Sequence, residues 1–419
     1  MFSIQKLASG LPILTAPSDG TESITVLVFA GAGSRYEQQN NRGISHFLEH
    51  MFFKGGKKFK STKEVSAAID GVGGDFNAFT GKEYAGYYVK VAAKNVELAC
   101  DVLSDMLLHA YFPTEEIEKE RGVIMEEERM YQDTPMYRAG WDFEELLFGN
   151  HPLGWDTIGT EELIKSVTQE QFQKYKEWLY TAANLCITFA GNITQEKALS
   201  LGETYFAPLG GTHKETFMPF TDYGTEKVML RTKNTEQAHL VLGVPGVSSQ
   251  HDDHFAMKLL AVILGGNMSS RMFLNIREAR GLCYYIATET DNYLDAGSLS
   301  TRAGVDQSRL HEAIEAIKHE YLLCAAEGVT DEEVQQAKSF LKGKITLSLE
   351  DSEERAHYYG KQLLLYPGVR DIHEYFEKID VVTRDQINVL ASRLLSAKEL
   401  RLVVIGKEED KAKLVEMIS

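Results

Sequence analysis

Five consecutive residues, His46, Phe47, Leu48, Glu49 and His50, have the types and spacing to do chemistry. Two histidines four apart on a helix present both imidazoles on one face. That is ligand spacing for a zinc ion, whose nitrogen ligands sit at about 2.0–2.1 Å. Glu49 falls beside the second histidine, where a carboxylate that does not ligate can take a proton from water activated by the metal. The order is the reverse of HExxH, the inverted arrangement. Read alone, the five residues leave a second possibility open, that the histidines are satisfied core residues.

Two histidines do not complete a catalytic zinc site; a third protein ligand is usual. The segment from Thr114, TEEIEKERGVIMEEERM, reads as a helix opened by a threonine and acidic residues, which suit a helix N-terminus. Ile117, Glu120, Ile124 and Glu127 follow helical spacing along one face. A carboxylate buried on a mainly apolar face costs several kcal/mol unless paired or metal-bound. The run Glu126, Glu127 and Glu128 leaves the register open. Helical geometry admits both Glu127 and Glu128, Glu126 points further round, and without the histidines the whole run reads as a solvated face.

The elements that must position these residues form a unit written twice. A β-rich run, SITVLVFAGAGSR (Ser23 to Arg35), precedes the helix through GISHFLEHMFF. The second half offers AHLVLGVPGVSS (Ala238 to Ser249), then a helix through HFAMKLLAVILGG. YAGYYVKVA (Tyr84 to Ala92) has its counterpart in GSLSTRAGV (Gly297 to Val305), and each is followed by a long helical pattern. The Thr114 helix is matched by TDEEVQQAKSFLKGKITLSL from Thr330. The halves close on apolar strands, NLCITFAGNIT (Asn184 to Thr194) and ELRLVVIGK (Glu399 to Lys407). This duplication predicts an α+β fold of two homologous domains, each a mainly antiparallel sheet packed by helices on one face. The turn-rich stretch Pro208 to Gly224 is the linker candidate, which sets the domains at 1–212 and 225–419 with a linker over 213–224. Where the first half has HFLEH the second has FAMKLL, so one half alone can hold the metal.

Size and composition agree. A chain of 419 residues suits two domains, and 43% apolar residues supply two cores. Lys and Arg number 44 against 61 Asp and Glu, a net charge of −17, which argues against nucleic acid as a partner. The four cysteines, Cys100, Cys186, Cys283 and Cys324, form no CxxC pair, so neither a cysteine zinc site nor a disulfide framework is expected and a reducing compartment fits. The N-terminal segment lacks a signal-peptide pattern and no apolar run approaches a membrane span. The expectation is a soluble, cytoplasmic protein.

With HFLEH and ERGVIMEE both in place, the chain resembles the pitrilysin/insulinase superfamily of zinc peptidases. It looks most like the short-chain branch that includes mitochondrial processing peptidase, its beta subunit above all, and bacterial relatives. The resemblance runs nearly end to end, through GSRYE (Gly33 to Glu37), RGISHFLEHMFFKG (Arg42 to Gly55), GGDFNAFTGKEYAGYY (Gly73 to Tyr88), EIEKERGVIMEE (Glu116 to Glu127), HPLG (His151 to Gly154) and LGGNMSSRMFLNIREARGLCYY (Leu264 to Tyr285). It implies that His46 and His50 are zinc ligands and that Glu49 is the general base. Glu127 becomes the third ligand, and Glu120 a partner that orients a histidine. In NIREARGLCYY it implies Arg277 and Tyr284 as substrate-contacting residues, with Arg280 and Tyr285 as their neighbours.

The segment DFNAFT, Asp75 to Thr80, matches the family's strand beside the metal, where an extended substrate adds as a further strand; Asn77 and Ala78 are the positions implied. Tyr84 and Ala85 depart from the smaller or polar residues that relatives often carry there. The resemblance further implies a zinc metalloendopeptidase acting on short or unfolded peptides, each chain a bowl-shaped half of an enclosed chamber. The partner would be a second copy, a homodimer, with a heterodimer possible. The alternative within the same fold is a non-catalytic or partner-dependent subunit of a heterodimeric processing peptidase.

Overall fold

A computed structural model describes residues 2–419. Its strands form two sheets. The first contains β1 (Ser3–Lys6), β2 (Pro12–Pro17), β3 (Ser23–Ala30), β4 (Asp75–Thr80), β5 (Ala85–Ala92) and β6 (Leu185–Gly191), in the order β1-β2-β6-β3-β5-β4. The second contains β7 (Val228–Thr232), β8 (Gln237–Pro245), β9 (Cys283–Asn292), β10 (Gly297–Asp306) and β11 (Arg401–Gly406), in the order β7-β11-β8-β10-β9. With β1 set aside the two orders coincide strand for strand. Each sheet is antiparallel except at one equivalent pair, β2 with β6 and β7 with β11. The duplication read from sequence is therefore a repeat of topology, and the fold is α+β.

The chain packs as two compact units that interleave in sequence. One takes residues up to Glu128, then Asp156–Met218 and Ile345–His373; the other takes Arg129–Trp155, Pro219–Lys344 and Glu374–Ser419. In the first unit β3 is apolar and rich in β-branched residues, and it is buried over nearly its whole length, the composition expected of a strand covered on both faces. Alternation separates those faces. Val28 lies opposite Tyr87 of β5, and Tyr87 packs on Phe52 of the helix Ile44–Phe52 with ring centroids 5.0 Å apart. Leu27 and Phe29 point the other way, into a cluster with Ala356, Tyr359 and Leu364 of the helix Ser352–Leu365. The sequence reading places helices on one face of each sheet; this helix adds a cover to the opposite face of β3 and β6. In the second unit the helix Pro135–Phe148 sets Ala139, Phe143 and Leu146 against Val241 of β8 and Val403 and Ile405 of β11. All four cysteines are free and buried.

The helix that carries HFLEH is fixed at both ends. At its start Gly43 has φ 98°, a left-handed conformation, and a Cβ there would lie 2.3 Å from the Ile158 carbonyl oxygen. The position therefore requires glycine. The Glu37 carboxylate caps this N-terminus: it accepts hydrogen bonds from the Gly43 and Ser45 amides at 2.7 and 2.9 Å, satisfying donors a helix start leaves orphaned. Beyond the C-terminal end, the Asp105 carboxylate accepts from the amides of Lys57, Lys58 and Phe59 at 2.9–3.0 Å, which pins the chain leaving the helix.

Burial pushes the Glu37 carboxyl up to about 7, against the opposing pull of those backbone donors. Between about 4.5 and about 7 the folded chain holds this proton and the unfolded chain does not, so stability attributable to Glu37 falls as pH rises through that window. Glu37→Gln has no such proton to lose. Its unfolding free energy relative to wild type should rise on going from pH 4.5 to 7, by on the order of 3 kcal/mol, as measured by urea unfolding of both proteins across the range.

Candidate metal centre

The triad is built from two helices of the first unit. His46 and His50 project from the helix Ile44–Phe52, and Glu127 from the long helix Thr114–Gln132. Their ligand atoms all lie within 4.8 Å of one another. His46 Nε2 and His50 Nε2 are 3.3 Å apart, and Glu127 Oε2 is 3.6 Å from each. Ligands about 2.0–2.2 Å from a tetrahedral zinc are separated by roughly 3.3–3.5 Å, so the three atoms fit that ion. Of the carboxylates left open by the sequence, Glu127 is the one brought to the two histidines.

The outer partners fix which ring nitrogen faces the triad. Glu120, 6% exposed on the buried face of its helix with Ile117 and Ile124, has Oε1 2.9 Å from His50 Nδ1. With Nε2 turned to a metal, Nδ1–H donates to that carboxylate. Glu120 Oε2 is engaged by Lys54 Nζ at 2.5 Å. His46 differs: its Nδ1 is buried with no hydrogen-bond partner among the described residues, so no outer hydrogen bond fixes that ring.

Electrostatics separate the groups. Burial, reinforced by the charge of His50, pushes His46 down to about 3. Burial also pulls His50 down, but its hydrogen bond to the Glu120 carboxylate and the charges of Glu49 and Glu127 outweigh that pull and raise it. Burial pushes the Glu120 carboxyl up, yet His50 and Lys54 together hold it below the usual range. Burial raises Glu127. A divalent cation among these ligands overrides such directions, because it favours neutral imidazole and ionised carboxylate.

Glu49 does not join the triad. It lies on the same helix, half-buried, and its Oε2 accepts a 2.5 Å hydrogen bond from Thr80 Oγ1 at the end of β4. Burial raises its carboxyl, with the Thr80 bond opposing. β4 is one of the two edge strands of its sheet. On it Ala78 shares the face of Thr80, while Asn77 points to the opposite face and its Oδ1 accepts from the Ala78 amide at 2.9 Å. Sequence reasoning singled out neither Thr80 nor Lys54. Spacing gave only a weak signal: Thr80 is two residues past Ala78 on the strand, and Lys54 is four past His50, just beyond the helix end.

Arg277 and Tyr284 belong to the second unit. Arg277 sits in a π-helical turn, Phe273–Glu278, with its guanidinium 4.6 Å from the centre of the Phe273 ring. Tyr284, on the edge strand β9, is 78% exposed. Its neighbour Tyr285 is half-buried and pairs with His239 Nδ1 at 3.0 Å, and the Arg280 carbonyl accepts from Arg309.

Comparison with known proteins agrees with the fold and with zinc as the metal. Residues 13–161 match the family model described as insulinase (peptidase family M16), and residues 166–341 match the model described as the peptidase M16 inactive domain. An uncharacterized zinc protease of Bacillus subtilis, YmxG, is 35% identical over 93% of this chain and 94% of its own length. One from Mycobacterium leprae is 34% identical over 96% of this chain and 90% of its own. Among solved structures, a protease from Helicobacter pylori superposes with TM-score 0.88 at 20% identity, covering 97% of this chain and 99% of that one. A Pseudomonas fluorescens structure described as a peptidase M16 inactive domain gives 0.90 at 17%, covering 98% of each.

The hydrogen bond from His50 to Glu120 should govern metal affinity although Glu120 is not among the three ligands. Glu120→Gln is expected to weaken zinc binding by about 10–100-fold while leaving the fold intact, measured by competition against a chromogenic chelator and by circular dichroism.

Proposed function

The chain belongs to the insulinase family of zinc peptidases, peptidase family M16, and on that premise we propose that it is an endopeptidase that cuts short or unfolded peptides at the centre formed by His46, His50 and Glu127. One observation carries the reading: three ligands, two imidazoles and a carboxylate, at zinc spacing, with a separate carboxylate, Glu49, held beside them by a hydrogen bond from Thr80. When bound, zinc supplies Lewis-acid chemistry: it stabilises charge developing on the scissile carbonyl oxygen and brings water's proton loss towards neutrality.

The chain's own residues do the rest. His46 and His50 hold the ion through Nε2, Glu127 through a carboxylate oxygen, and Glu120 fixes the His50 ring through Nδ1–H. Glu49 takes the proton from the attacking water and later returns it to the leaving nitrogen. Asn77 and Ala78 lie on an edge strand whose free backbone suits an extended peptide added in strand register, a mode that gives affinity with tolerance of sequence. Arg277 would hold a substrate carbonyl. The Tyr284 hydroxyl would donate to the oxyanion, a contribution worth about 3–4 kcal/mol for a good donor; its side chain is the exposed one of the Tyr284–Tyr285 pair.

The resemblance to short-chain relatives supports a homodimer that encloses its substrates and excludes folded proteins by size. No helix among the described residues is long and apolar enough to cross a membrane, which is compatible with a cytoplasmic site of action. The second reading, a non-catalytic or partner-dependent subunit, is disfavoured by the survival of both histidines, Glu49, Glu127, Arg277 and Tyr284 in one chain.

One experiment on the purified chain separates the readings. Wild type, Glu49→Gln, Arg277→Ala and Tyr284→Phe are loaded with zinc, assayed for metal content, sized by light scattering, and incubated with a mixed peptide library. Wild type should cut peptides as a dimer with one zinc per chain. Glu49→Gln should retain zinc and lose activity by at least about 100-fold. Arg277→Ala and Tyr284→Phe should retain zinc and lose kcat/KM. Undiminished hydrolysis by zinc-replete Glu49→Gln would refute the assigned base, and an inactive wild-type homodimer would favour the partner-dependent reading.

A further inference from the structure

The strand that would receive the peptide also holds the general base. β4 alternates its side chains between two faces, and its last residue, Thr80, donates its hydroxyl proton to Glu49 Oε2 at 2.5 Å. Glu49 needs such a partner. It sits on a short helix, its side chain has three rotatable bonds, and a half-buried carboxylate can turn towards any donor. Threonine is β-branched and stiff at χ1, so its hydroxyl position follows from the backbone of β4.

That backbone is itself held from the other side. Thr80 is in register with Ala85 of β5, and Asn77 with Tyr88. Phe79, which points to the opposite face, covers Gly86, where a Cβ would lie 2.0 Å from the ring, and packs at 4.6 Å on His357 of the helix Ser352–Leu365. β4 is thus clamped between two layers, and the aim of Glu49 Oε2 is set by the clamp. With Oε2 occupied, Oε1 is the oxygen left to accept the proton from water.

We propose that Thr80 is a positioning residue: its hydroxyl fixes the Glu49 carboxylate relative to the peptide-accepting edge of β4, so that one strand sets both the path of the substrate and the direction of the base. Catalytic groups must be held within about 0.5 Å of productive geometry to act at full rate, and a strand shared between substrate and base supplies that tolerance without a separate support. The inference rests on the peptidase reading given above.

The test uses the zinc-loaded, full-length chain. Thr80→Val keeps shape and removes the donor; Thr80→Ser keeps the donor and removes the methyl; Thr80→Ala removes the donor with less bulk. Losing a hydrogen bond to a charged group should cost Thr80→Val and Thr80→Ala about 10–100-fold in kcat. KM should change by less than about threefold, because the backbone edge that binds peptide is untouched. Zinc content, melting temperature and the affinity of the zinc-loaded proteins for an uncleavable peptide should match wild type. Thr80→Ser should recover kcat to within about threefold of wild type.

The inference is overturned if both donor-less variants keep kcat within about twofold of wild type, if the loss lies in KM, if Thr80→Ser is as impaired as Thr80→Val, or if activity falls only in step with zinc or thermal stability. Glu49→Gln, run alongside, keeps the two failures apart. If it is inactive while Thr80→Val is fully active, the base stands and the role of Thr80 falls. If Glu49→Gln is active, the peptidase assignment of the site falls first.

Discussion

The hydrogen bond between His50 and Glu120 is the contact on which the rest of the centre depends. It joins two helices that are about 70 residues apart in the chain (His50 and Glu120), and it decides which nitrogen of the imidazole faces the triad. Without it the ring is free to turn, and the 3.3 and 3.6 Å separations among the three ligand atoms have no reason to persist. Lys54 completes the chain by neutralising the outer oxygen of Glu120, so a buried carboxylate that would otherwise be costly becomes a fixed acceptor. His46 has no such support among the described residues; the asymmetry leaves one ligand held by an outer hydrogen bond and the other without one.

Other contacts of the first unit place the HFLEH helix. The Glu37 cap and the left-handed Gly43 set where the HFLEH helix starts, and Asp105 gathers the amides that follow it. Tyr87 and Phe52 settle its depth against the sheet. The second unit repeats the strand order without the ligands: its counterpart of HFLEH is an apolar helix, His254–Gly265, in which Leu259, Leu260 and Leu264 are buried. Its sheet repeats the strand order, while the cluster of metal-ligating side chains lies in the first unit.

Much of this was legible in the residues. HFLEH announced itself because histidine, histidine and glutamate at four- and three-residue spacing are improbable on an apolar helix face. The strands Ser23–Ala30, Gln237–Pro245, Leu185–Gly191 and Arg401–Gly406 were legible because they are apolar on both faces. Helical geometry left the third ligand open between Glu127 and Glu128, since a one-residue slip on a helix moves a side chain by about 100° and periodicity alone does not fix the zero; the family resemblance pointed to Glu127. Thr80 and Lys54 were not singled out because their roles are tertiary: nothing local distinguishes a threonine that meets a glutamate 31 positions away from one that meets water. The helices Pro135–Phe148 and Ser352–Leu365 were likewise opaque, because what they cover is decided by packing and not by period.

The helix Ser352–Leu365 has a consequence in time as well as in space. It lies near the C-terminal end of the chain, yet it seals one face of the sheet on which β4 hangs and supplies His357 to the clamp behind Phe79. During synthesis the metal-bearing unit therefore lacks its cover until more than four-fifths of the chain has been made, although His46, His50 and Glu127 emerge in the first third. The first unit is completed only by a segment that follows most of the second unit in sequence, so its closure waits on the synthesis of both.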